Sequence, residues 1–157
     1  MSVQDSYTVN HAVGFEGGVV DMSLHNIISK IAEGSDIAPG LAVTRGTGDN
    51  QANLPSATGE DFMGITTSTT AGQANGLDVF TYEENSAMNV LDEGRIYVIC
   101  EDGCVPGDDV FFRHTTGTGT VIGAFRTDAD TATADQITGA TFESTAAVGA
   151  IAIVKLP

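Results

Sequence analysis

Tryptophan is absent from this chain, and aromatic residues of any kind make up only 6% of it. A carbohydrate-binding surface normally presents stacking rings, so sugar recognition would start with little material. Histidine occurs three times, at His11, His25 and His114, each without a second imidazole nearby. A cupin-type metal oxygenase needs a His-x-His pair and a neighbouring glutamate, and that set is missing. His25 and His114 are therefore expected on the surface or facing a partner rather than as ligands. Basic residues are scarce as well: six Lys and Arg stand against 21 Asp and Glu, for a net charge of −15. That is the wrong sign for phosphate backbones and for anionic membrane surfaces, so neither nucleic acid nor membrane is expected as a partner. It does favour solubility at high local concentration. No apolar run approaches the roughly 20 residues needed to span a bilayer as a helix.

Cysteine appears twice, as Cys100 and Cys104 flanking Glu101-Asp102-Gly103. A zinc site needs three or four ligands and no second pair exists, so free, half-buried thiols are expected. Met1 to Asn10 is polar and lacks the basic and apolar regions of a signal peptide. The protein is expected to be made and first folded in a cytosol, where a disulfide across the Cys100–Cys104 turn would not persist.

The motifs of catalysis are missing too. There is no Gly-x-Ser-x-Gly elbow, and Gly46-Thr47-Gly48 is the nearest approach to a phosphate loop. It falls between strands, where no helix N-terminus would receive phosphate. Asp128-Ala129-Asp130 with Asp135 resembles part of a calcium loop, but Thr133 and Gly139 occupy the positions that need glycine and glutamate. A solvated acidic loop is the expectation. Glu83-Glu84 and Asp108-Asp109 would point to opposite faces of a strand and cannot pair as acid and base. No catalytic, cofactor or metal residue is assigned, and the chain is read as non-enzymatic.

What is present is β signal, punctuated by Gly- and Thr-rich turns. At 157 residues the chain can bury a core without staples. Leu24, Ile27, Ile28 and Ile31 recur at helical spacing after Ser23 and before Gly34, which predicts one short helix. The rival is an extended segment, because the stretch is rich in β-branched residues. Strands are predicted over Leu41–Thr44, Phe62–Thr66, Val79–Tyr82, Ala87–Leu91, Arg95–Cys100, Val110–Arg113, Val121–Arg126, Thr141–Glu143 and Val148–Leu156. Gly46–Gly59, Ser68–Gly76 and Asp128–Gln136 read as polar loops. Asp92-Glu93-Gly94 reads as a hairpin turn between two of the strands.

Two stretches echo each other. Ile37-Ala38-Pro39-Gly40 enters one strand and leads to Met63-Gly64-Ile65, while Val105-Pro106-Gly107-Asp108 enters another and leads to Ile122-Gly123-Ala124. Either an old duplication or the recurrence of Pro-Gly turn chemistry accounts for this. In Ile96–Cys100 and Ala147–Leu156, apolar residues occupy both faces of the strand. A half-solvated sheet alternates apolar with polar, so these strands are expected to be covered on both sides, by loops or by another copy. The fold class expected is all-β and mainly antiparallel. It is a small β-barrel or β-tulip-like domain over residues 13–157, with long Gly/Thr loops, at most one short helix and a flexible N-terminal arm over 1–12.

The order of these features resembles the capsid cement, or decoration, proteins of tailed bacteriophages. The likeness rests on the arm, the Gly-rich opening, Ile37-Ala38-Pro39-Gly40, Asn85 to Val90, and Gly94 before Tyr97-Val98. It continues through Val105-Pro106-Gly107-Asp108, Ile122-Gly123-Ala124-Phe125 and the Ala-rich last strand. The resemblance implies a homotrimer on the outer surface of the capsid in the virion, made in the host cytoplasm and clamping neighbouring major capsid protein subunits. It brings no catalytic residues, and Cys100 and Cys104 lie outside its pattern. Within that reading, Tyr7, Val9, His11 and Val13 are the candidate capsid contacts. Tyr97, Ile99, Ile151 and Ile153 are the candidate subunit interface. The alternative is a β module that binds carbohydrate or a host surface, in the manner of a head fibre or adhesin.

Overall fold

The computed structural model describes residues 14–68 and 81–157. Their regular structure consists of nine strands and no helix: β1 (Asn26–Glu33), β2 (Ala42–Arg45), β3 (Gln51–Asn53), β4 (Phe62–Thr66), β5 (Ala87–Cys100), β6 (Asp109–Arg113), β7 (Phe125–Arg126), β8 (Ala134–Phe142) and β9 (Ala150–Leu156).

These strands close into two rings of five that share β5. In the first ring β1 pairs in parallel with β3, and β3–β2, β2–β4, β4–β5 and β5–β1 are antiparallel. In the second, β5 pairs in parallel with β7, and β7–β6, β6–β8, β8–β9 and β9–β5 are antiparallel. The connectivity of the two rings is the same in chain order. Full closure leaves few open edges, which is how an all-β chain avoids pairing with its neighbours.

Matched hydrogen bonds extend the parallel between the halves. Ile37 and Tyr82 exchange two backbone bonds of 2.9 and 2.8 Å, and Cys104 and Ala146 exchange two of 3.0 Å. Gly40 N donates to Thr66 O at 2.7 Å, and Gly107 N donates to Phe142 O at 2.8 Å. Thr66 N returns a bond to Leu41 O and Phe142 N to Asp108 O, each at 2.9 Å. The two Pro-Gly entries thus occupy equivalent places in two copies of one barrel plan.

Five sequence expectations are corrected. The stretch Ser23–Glu33 is not helical: Asn26–Glu33 is strand β1. Leu24, the first residue of the helical stripe, is 81% exposed, and Ile27 is exposed too. The β-branched isoleucines instead find ladders on both sides, against Ala87–Glu93 and Gln51–Asn53. Asp92-Glu93-Gly94 is not a hairpin, because Ala87 to Cys100 run as one strand. The Ala87–Leu91 half pairs within the first ring and the Gly94–Cys100 half pairs with β9, so the halves never face each other. Gly94 sits at the crossing with φ 122°, where a Cβ would lie 2.7 Å from His25 Cβ. Loop Gly46–Gly59 contains β3, whose one buried residue, Ala52, gave little apolar signal. Strand β8 begins at Ala134, inside the predicted acidic loop, while β7 is only Phe125–Arg126. Of the predicted strand Val79–Tyr82, only Thr81 and Tyr82 lie within the described residues, and Tyr82 forms a single bridge with Ile37.

The cores follow the rings. Ala32, Ile37, Val43, Ala52, Tyr82, Met88 and Val90 form one cluster inside the first ring. A larger cluster holds Phe112, Phe125 and Phe142 with Ile96, Val98 and Val154. Each fully buried side chain of this size contributes about 1.5–3 kcal/mol. Ala42, Ile65 and Leu91, from strands of the first ring, pack into this second cluster. The barrels therefore share apolar wall as well as a strand.

Candidate functional site

Nothing in the described residues assembles a reaction centre. No group of three or more His, Cys, Asp or Glu among them is placed to hold a metal ion. His11 lies outside the described residues. His25 Nδ1 is 2.8 Å from Ser23 O at a turn. His114 departs from the surface position expected of it. It is buried at the end of β6, with Nδ1 2.9 Å from Thr115 Oγ1 and Nε2 3.7 Å from Asp135 Oδ1.

The acidic stretch Asp128–Asp130 is likewise more than a solvated loop. Arg113, only 2% exposed, donates through Nε to Glu101 Oε2 at 2.8 Å and through Nη2 to Asp130 Oδ2 at 2.7 Å. Its Nη1 donates to Thr133 Oγ1 at 2.9 Å. Arg126 donates to Asp128 Oδ1 at 2.7 Å and reaches Asp130 Oδ2 at 3.2 Å and Glu101 Oε2 at 3.4 Å. The bonds from Arg126 to Asp128 and from Arg113 to Asp130 hold both carboxyls below their usual range. This network pins three successive residues in the left-handed region, Asp130, Thr131 and Ala132 at φ 40°, 56° and 63°. Such a turn costs roughly 1–2 kcal/mol per residue unless held. Sequence reasoning missed this cluster. Its one signal was that two of six cations, Arg113 and Arg126, precede an acidic run in a chain short of positive charge.

Cys100 and Cys104 are free and buried. Cys100 Sγ lies 3.3 Å from Asp102 Oδ1, and Cys104 Sγ lies 3.3 Å from Ser144 O. Burial pushes both thiols up, away from the reactive thiolate. A chromogenic disulfide reagent should therefore label neither thiol rapidly in the native protein and both after unfolding in guanidinium. Rapid native labelling of either would contradict the burial.

The four apolar residues singled out on β5 and β9 come together. Tyr97 is the register partner of Ile153, and Ile99 of Ile151. They form one outward face opposite the core pairs Ile96–Val154 and Val98–Ala152. All four are half-buried. Part of their cover is local: Gly14 packs on the Tyr97 ring, Gly17 N donates to Tyr97 O at 2.8 Å, and Tyr97 N donates to Gly18 O at 2.9 Å. Tyr7, Val9 and Val13, with His11, lie outside the described residues.

Among the described residues the molecule presents two barrels that share a strand and an apolar outer face on β5 and β9. The family model described as "Structural cement protein (E217 gp24/Pam3 gp6)" matches residues 3–156. The chain belongs to the phage structural cement protein family. The family is structural and non-enzymatic, so this cement protein is a component of a phage virion. Its fold is similar to that of a chain in the capsid of Myoviridae phage XM1. The TM-score is 0.72 at 15% identity, covering 99% of this chain and 98% of the other. A weaker likeness joins it to the head fibre gp8.5 N base of bacteriophage phi29. There the TM-score is 0.45 at 14% identity, over 85% of this chain and 95% of that one. No curated protein matches the cement protein by sequence.

Proposed function

We propose that this cement protein binds the outer surface of the assembled phage head as a homotrimer and stabilises contacts between neighbouring major capsid subunits. The observation that carries the reading is the outward face of Tyr97, Ile153, Ile99 and Ile151 on the β5–β9 ladder. A solvent-facing ladder would carry polar residues there, and an apolar one gains by being covered by a second copy. Residues 13–157 serve as the body, and residues 1–12 serve as an arm that brings Tyr7, Val9 and His11 to a capsid subunit, with Val13 beside it as a further contact. The charge of −15 suits a site outside the shell, away from packaged nucleic acid. A protein that binds the assembled shell and not its free subunits stabilises the shell by mass action.

The test uses light scattering on the purified full chain. It is expected to give three times the chain mass. Ile151→Asp with Ile153→Asp should give a folded monomer that no longer raises the heat tolerance of stripped heads. A wild-type monomer at micromolar concentration that fails to bind stripped heads would overturn the reading.

A further inference from the structure

We propose that a cleft beside Ile99 receives a lysine or arginine side chain of the major capsid subunit. This rests on the capsid-binding reading above and gives it a chemistry. The cleft has a volume of about 500 Å³ and lies where the Gly14–Val20 segment, the turn before β7 and the turn before β9 converge. Leu41, Ile99, Val121 and Val148 supply an apolar wall. Val121 is 54% exposed and Val148 74% exposed, so part of that wall stands open to solvent.

The polar lining decides the sign of the guest. Arg113 and Arg126 line the cleft but are each already engaged by two or more carboxylates, so they offer little to an anion. Glu101 and Asp130 line it with them, and Asp102 and Asp128 stand beside Arg126. Glu16 adds a further carboxylate. It is half-buried, with its stem against Gly40, and makes no hydrogen bond or ion pair with any described residue. Burial raises its pKa, as expected of a carboxylate removed from water without a cation. The lining carboxylates Glu16, Glu101 and Asp130 outnumber the two guanidiniums, and Asp102 and Asp128 beside Arg126 add to the negative sign.

An apolar wall with an unpaired carboxylate fits a long aliphatic stem that ends in a positive charge, the shape of lysine and arginine. Ile99 belongs both to this wall and to the end of the outward β5–β9 face. The guest side chain therefore enters next to the junction between protomers.

Binding of the full-length protein to expanded heads stripped of it, measured across a salt series, tests the assignment. Glu16→Gln should weaken binding about tenfold and flatten its salt dependence, as loss of one partner of a desolvated charge pair does. The same change should slightly raise the melting temperature of the free protein, because an unpaired buried charge is removed. Val148→Ser should weaken binding several-fold with its salt dependence intact. Glu84→Gln, an exposed change of equal charge outside the cleft, should bind like wild type. If wild type does not bind heads, the capsid-binding reading itself falls. If wild type binds and Glu16→Gln matches it in affinity and salt slope, the cleft assignment falls. It also falls if Glu16→Gln and Glu84→Gln weaken binding equally, since net charge alone would then be at work.

Discussion

Replacing Arg113 by alanine should cost the fold about 3–5 kcal/mol, the usual penalty for removing one partner of a buried ion pair. Against a typical total of about 5–15 kcal/mol, that is enough to bring the protein near its unfolding threshold at room temperature. Glu101 and Asp130 would lose their closest cation, at 2.8 and 2.7 Å, and the left-handed turn at Asp130–Ala132 would lose its anchor. Urea titration checks the value, with an unchanged slope showing that the transition itself is intact. Arg113→Met with Asp130→Asn should recover part of the loss, because much of the penalty belongs to the charge left behind. Acid titration supplies a second readout. Asp130 and Asp128 are held below their ordinary pKa in the folded state, so their stabilisation is present at neutral pH and disappears as pH falls below about 4. Arg113→Ala removes the hydrogen bond that lowers Asp130, and its stability should depend less steeply on pH in that range.

Gly64→Ala should be the next most damaging single change, at about 2–4 kcal/mol. Gly64 is buried in β4 with φ 142°, a conformation that side-chain-bearing residues rarely adopt. A Cβ there would collide with the carbonyl oxygen of Leu91 and lie 2.7 Å from Val90 Cγ1. Neither atom can swing aside, since both belong to β5 in the wall shared by the barrels. Gly59→Ala is the matched control: φ is 78°, but nothing lies within 4 Å of its Cβ position. It should lose only the backbone term, roughly 1–2 kcal/mol. Equal losses at the two sites in thermal melts would show that crowding at Gly64 is not the cause.

The β class, the Pro-Gly entries and most strand positions could be read in the residues, because turn chemistry and apolar runs are local signals. What could not be read depends on distant partners. Leu24, Ile27, Ile28 and Ile31 carry a helical spacing, and only pairing with residues 87–93, some 60 positions away, makes that stretch extended. Asp92-Glu93-Gly94 has the composition of a turn, yet each half of β5 finds different neighbours, and the chain runs straight through. Gln51–Asn53 is strand through its ladders with β1 and β2, not through burial. Among the surface residues, Tyr97, Ile99, Ile151 and Ile153 were legible because their apolar character on an outer face breaks the alternation rule. The Arg113–Glu101–Asp130–Arg126 cluster was not, since its members come from three separate segments: Glu101 after β5, Arg113 in β6, and Arg126 with Asp130 around the turn after β7. Glu16 was hidden for the same reason: it gives no signal until the fold sets it at the edge of a cleft.

Force applied to either barrel runs straight into the other along the fourteen residues of β5. Ladders flank that strand on both sides, so a pull along it loads many hydrogen bonds in shear rather than peeling them one at a time. Among the described residues no linker separates the halves: the two ladder sets meet within one continuous strand, and opening either barrel along β5 takes a wall from its twin. For a member of a cement family, such a link is stiff where a flexible tether would give way.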